Sequence, residues 1–233
     1  MASQHNDFSL NRTMQAVILA LLLCIPSSFL IGNVEAVVVN DDITVDTTWT
    51  AANNPYEITD SIVVDEGVTL TIEAGVQVLI DPSTQIEVRG NISAQGASND
   101  PIIFTSSSIS QAWSGIRINQ NIQDEYDDSE DYALFEWTDF SYAGSAISLD
   151  CCGGYNGQVT INNSSFSYND QGVSGYTGSW TYISNSTFDN NTIAISSADK
   201  IIRDSTFTDN EHAISYVERT QVYDSTFTDN TYA

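Results

Sequence analysis

Residues 183–195 read ISNSTFDNNTIAI and residues 202–214 read IRDSTFTDNEHAI, one phrase written twice with a 19-residue offset. A third copy, VYDSTFTDN at 222–230, follows 20 residues further on. Working outward, Phe140, Phe166, Phe188, Phe207 and Phe227 are separated by 26, 22, 19 and 20 residues. A period in this range dictates a whole architecture, because each unit buries its apolar face only by stacking on a neighbour.

The positions around each phenylalanine repeat as well. Five residues before it stand Phe135, Ile161, Ile183, Ile202 and Val222, and seven after it Ile147, Val173, Ile195 and Ile214. Two before it is a small hydroxyl, Thr138, Ser164, Ser186, Ser205 or Ser225. Three before it the last four copies carry Asn163, Asn185, Asp204 and Asp224; three after it they carry Asn169, Asn191, Asn210 and Asn230. Alternation places the hydroxyl and the phenylalanine on one inward face of a short strand. The Asn and Asp positions then fall at corners, where Asn tolerates left-handed backbone and bonds its own main chain. Coils stacked about 4.8 Å apart bring equivalent residues into ladders, Phe upon Phe and Ile upon Ile.

No helical period of three and four is visible after residue 36, and the signatures of leucine-rich, ankyrin and tetratricopeptide repeats are absent. The expected fold is therefore all-β: a single-stranded right-handed parallel β-helix, its hand following from the preference of parallel crossovers. Residues 124–233 form the Phe/Asn coils. Residues 37–123 form less regular opening coils, with strand-length pieces such as 61–64 (SIVV), 68–72 (VTLTI) and 101–104 (PIIF) separated by turn signals.

Ahead of the coils, residues 16–25 are unbroken apolar sequence, followed by Pro26, Ser27, Ser28 and a small-residue site at Val34, Glu35 and Ala36. This order describes a secretory signal peptide over residues 1–36, and the run is short for a membrane span of about 20 residues. The mature chain is then secreted or displayed on a cell surface, with no membrane span. Of 31 acidic and 6 basic residues, 29 and 5 survive cleavage, so −24 of the formal charge of −25 belongs to the working protein. Such a charge repels phosphate backbones and excludes nucleic acid as a partner class. Only Cys151 and Cys152 remain, adjacent, and make no disulfide framework.

The run from Val64 through Phe104 to Ile118, together with the later Asn-Ser-x-Phe-x-x-Asn units, resembles the coils of secreted β-helix proteins of the pectin-lyase-like superfamily. The resemblance covers about residues 60–230 and is specific for fold, not for activity. Its familiar enzymes are polysaccharide lyases and glycoside hydrolases, the lyases using an aspartate-bound calcium and a basic residue. Here the basic residues are Arg89, Arg117, Lys200, Arg203 and Arg219, none in a motif that matches. No catalytic, cofactor-binding or metal residue is transferred.

Stacking sets Asp204 beside Asp224 and Asp209 beside Asp229, near the spacing that two-carboxylate hydrolysis requires. Like charges so opposed destabilise a sheet, which points to salt or Ca²⁺ as the agent that screens them. The acidic run 124–131 lacks the order of a calcium loop and reads as an excursion between coils. Thr206, Thr208, Thr226 and Thr228 resemble the arrays of ice-binding solenoids, an arrangement that β propensity alone also produces. Glycosylation sequons occur at Asn91, Asn162, Asn163, Asn185 and Asn190, partly as a by-product of the Asn-Ser turns.

The expected function is a non-enzymatic secreted or surface protein presenting a solenoid face for adhesion, carbohydrate contact or coat assembly. The alternative is a polysaccharide-active enzyme. The last coil, around Phe227, leaves a pairing edge open, which suits a continuing chain or end-to-end self-association.

Overall fold

A computed structural model describes residues 35–119, 131–149, 156–175, 179–196, 200–216 and 218–233. The signal-peptide reading, the Cys151-Cys152 pair and nearly all of the 124–131 run lie outside these residues. The rest is all-β, three parallel sheets wound into a solenoid, and the described residues contain one short 3-10 turn at Ala51–Asn53 and no α-helix.

Sheet 1 has nine strands, from Val37–Val39 to Thr226–Thr228; sheet 2 has seven, from Ile62–Val64 to His212–Ser215; sheet 3 has eight, from Thr47–Trp49 to Gln221–Tyr223. Each coil from Tyr56 to Tyr223 contributes one strand to each sheet in turn; the coil before them has strands in sheets 1 and 3 alone, and the last described strand, Thr226–Thr228, lies in sheet 1. The three apolar columns of the repeat therefore belong to three different walls. The residue five before Phe lies in sheet 3 (Phe135, Ile161, Ile183, Ile202, Val222), Phe itself in sheet 1, and the residue seven after in sheet 2 (Ile147, Val173, Ile195, Ile214).

In sheet 1 the inward column runs Val37, Tyr56, Val78, Phe104, Phe140, Phe166, Phe188, Phe207, Phe227 in unbroken register. The rings from Phe104 onward stack face to face, with centroids 5.3, 4.9, 4.7, 4.9 and 4.8 Å apart. Parallel strands enforce this separation, and each ring contact adds roughly 0.5–1.5 kcal/mol beyond area burial. Sheet 2 continues its own column downward through Ile116, Ile86 and Ile62. The opening coils thus share the walls of the later ones.

Two polar ladders run inside. Each ladder serine accepts the backbone N–H of its counterpart one coil earlier, Ser186 Oγ from Ser164 and Ser205 Oγ from Ser186, both at 3.2 Å. Its own hydroxyl donates to the carbonyl two residues before, as Ser186 does to Ser184 at 2.8 Å. The asparagine ladder is tighter still. Asn191 Oδ1 accepts both the backbone N–H and Nδ2 of Asn169 at 3.0 Å, and Asn191 Nδ2 donates to Asn210 Oδ1 and to the carbonyl of Phe166. Asn169, Asn191 and Asn210 are buried, so pairing of these groups is obligatory.

The corner chemistry differs in one respect from the expectation. Left-handed backbone occurs at Asn163, Asn185, Asp204 and Asp224, as the turn reading requires, but the ladder asparagines do not adopt it. The residue just before each takes the positive φ instead: Tyr168, Asn190, Asp209 and Asp229. The ladder side chain must point inward to saturate the backbone, so its predecessor makes the bend.

Candidate functional site

Corner lengths decide where a site can be built. Over the last five coils one or two residues join sheet 3 to sheet 1, and three join sheet 1 to sheet 2. Sheet 2 to sheet 3 is joined by 12, 6, 3, 3 and 5 residues. In solenoids, insertions gather on one edge, which is commonly the binding edge. That edge borders the outer face of sheet 3.

Alternation turns every second residue of sheet 3 to that face. One column runs Leu134, Thr160, Tyr182, Ile201, Gln221, and the neighbouring one Glu136, Asn162, Ser184, Arg203, Tyr223. From Thr160 onward neither column contains a carboxylate. Asn162 Oδ1 accepts from Ser184 Oγ at 2.5 Å, Tyr223 Oη donates to Gln221 Oε1 at 2.5 Å, and the Arg203 guanidinium lies 4.2 Å over the Tyr223 ring. This cation-π contact draws the guanidinium toward the ring on the surface. Beneath the face, Lys200 is fully buried at an inward position that Ala133 and Val159 occupy in earlier coils. The repeat gave no sign of it, because a lysine breaks the apolar pattern.

A second cluster lies on the outer face of sheet 2. Glu87 Oε1 accepts from Arg89 Nε at 2.7 Å and from Asn119 Nδ2 at 2.8 Å, with Arg117 Nη1 3.8 Å from Oε2. Burial alone would raise the Glu87 pKa, but those hydrogen bonds and the two guanidinium charges outweigh it and hold the carboxyl below its ordinary range. Two of the five basic residues that follow residue 36 are engaged here. On sheet 1, Asp139 is half-buried on the outward side and its pKa is raised by desolvation.

The acid pairs occupy matching corners of successive coils. Asp204 and Asp224 share one corner, Asp209 and Asp229 the other, all exposed and all with left-handed backbone. No group of three or more metal-ligating side chains occurs among the described residues. The threonines align as Thr187, Thr206, Thr226 and as Asp189, Thr208, Thr228 outside the phenylalanine wall, with Asp189 interrupting the array.

The fold and its outward faces define a parallel β-solenoid with the familiar serine and asparagine ladders. Residues 41–153 match the family described as a pectate-lyase like beta helix domain. The same three sheets continue to Thr228, so the likeness to the β-helix repeat proteins of the pectin-lyase-like superfamily extends in fold beyond the matched residues. No curated protein and no solved structure matches it significantly.

Proposed function

We propose that the chain is a secreted or cell-surface solenoid that contacts polysaccharide along the outer face of sheet 3, without turning it over. The supporting observation is the composition of that face: Thr160, Asn162, Tyr182, Ser184, Ile201, Arg203, Gln221 and Tyr223 form two columns free of acid in a chain of net charge −25. Carboxylates elsewhere keep the protein soluble and repel anions. An acid-free strip offers aromatic rings and short polar groups, the combination that receives the apolar faces and hydroxyls of a sugar. The regular coil spacing suits a ligand that itself repeats.

The test is retention of the full chain on a panel of insoluble neutral and acidic polysaccharides, beside Tyr182→Ala and Tyr223→Ala. Binding that weakens about tenfold per ring, roughly 1.4 kcal/mol, supports the proposal. Binding indifferent to both rings overturns the assignment of the face. New reducing ends or unsaturated products would replace the contact reading by the enzyme one.

A further inference from the structure

Six sequons lie in the chain; the one at Asn11 falls in the signal-peptide reading, outside the described residues, and the fold separates the other five. Asn162 is half-buried with its Oδ1 held by Ser184, and the hydroxyl of its sequon, Ser164, is buried in the serine ladder. Asn163 is half-buried, as are Asn91 and the Ser93 of its sequon. Asn185 and Asn190 differ: both are exposed, and so are Thr187 and Thr192, which complete their sequons. They stand at the two ends of one strand, Thr187–Asp189, each at a corner with left-handed backbone, φ 49° and 54°.

The repeat does not require asparagine at these corners. In the next two coils the same positions carry Asp204 and Asp209, then Asp224 and Asp229, with φ between 48° and 55°. Asp serves the backbone equally well, and the chain is otherwise rich in it. One coil has Asn at both corners, and both of those asparagines begin a sequon.

From this we infer that Asn185 and Asn190 are N-glycosylation sites, a pair that brackets the outer face of sheet 1 and leaves the loop-bearing edge of sheet 3 uncovered. In the transfer, Asn Nδ2 forms a bond to C1 of the sugar while the bond from C1 to the phosphate oxygen of a lipid-linked oligosaccharide breaks. The phosphate leaves with the electron pair, and one Nδ2 proton passes to the transferase base. At Asn190 one N–H remains on Nδ2, the atom that donates to Asp189 Oδ2 at 2.8 Å. The finished linkage therefore retains a donor for that bond.

The inference rests on the secretory reading of residues 1–36, and the experiment separates the two. The full chain is expressed in a yeast secretory host, and peptides from both medium and lysate are mapped by mass before and after N-glycosidase treatment. The expected result is glycan on Asn185 and Asn190 and bare peptides at Asn91, Asn162 and Asn163. Asn185→Asp and Asn190→Asp, which copy the corners of the following coils, each remove one glycan, and Thr192→Ala removes the second without altering its corner. Bare Asn185 and Asn190 in protein from the medium, or glycan confined to the other sequons, overturns the site assignment alone. Bare chain found only in the lysate overturns the secretory reading together with it.

Discussion

Asn191 and Asn210 are joined carboxamide to carboxamide, Nδ2 of the first donating to Oδ1 of the second at 3.0 Å inside the core. The same Oδ1 of Asn210 takes the backbone N–H of Asn191, so one side chain saturates two donors of the coil before it. Asn191→Ala removes the donor to Asn210 and to the Phe166 carbonyl, and it orphans the backbone N–H of Asn169. At about 1–3 kcal/mol for each buried group left unpaired, the expected loss is about 3–5 kcal/mol. Thermal and denaturant unfolding measure it. A loss below about 1 kcal/mol would mean that water replaces the ladder.

The phenylalanine stack makes a graded prediction. Phe188 is wholly buried between Phe166 and Phe207, whereas Phe227 is 37 % exposed and stacks on Phe207 alone among the described rings. Phe188→Ala should cost about 3–5 kcal/mol through lost burial and a residual cavity. Phe227→Ala should cost about 1–2 kcal/mol, because less apolar area returns to water. Equal losses on urea denaturation would contradict the stacked geometry.

What the sequence made legible follows from which residues share an environment. The five phenylalanines from Phe140 onward occupy equivalent positions and repeat; Phe104 stands in the same column but outside the period, because the 12 residues between Ile118 and Asp131 lengthen its coil. Further down, Val78 and Tyr56 fill the column with other side chains, so the letter changes while the role does not. The bend before each ladder asparagine was hidden for a similar reason. Its occupants are Tyr168, Asn190, Asp209 and Asp229, with Tyr142 in the equivalent place before Ala143; they share no common letter, and the stacking of Tyr142 on Tyr168 at 5.6 Å offsets the cost of bulky residues in left-handed backbone. The outer face of sheet 3 was not legible at all, since side chains directed to solvent share no packing partner that would impose a repeat.

Asp139 links stability to pH. Burial raises its pKa in the fold above the ordinary aspartate range. The sign follows: its contribution to stability is fully present below the unfolded pKa and is lost as pH rises through the folded one. At neutral pH the charged form is a penalty, which Asp139→Asn removes. The variant should therefore melt higher than the parent near pH 7, and the two should converge as pH falls to about 3. A gap that stays constant over that range would assign the effect to packing instead of charge.

The corner aspartates set up the response to ions. Asp204 and Asp224, and Asp209 and Asp229, repeat the same backbone position in adjacent coils, where like charges oppose each other at a separation that strand pairing holds to about 4.8 Å. Monovalent salt screens such exposed pairs, and a hard divalent cation can in addition be shared between carboxylates. We propose that Ca²⁺ stabilises the last coils in this way, and expect the melting temperature to rise from chelator to high salt to millimolar calcium. Asp209→Asn with Asp229→Asn should raise the value in chelator and flatten the calcium response, because the repulsion and the ligands leave together. Identical melting in all three buffers would show that the pairs are already relaxed by solvent. A response to salt without any extra effect of calcium would restrict the explanation to screening.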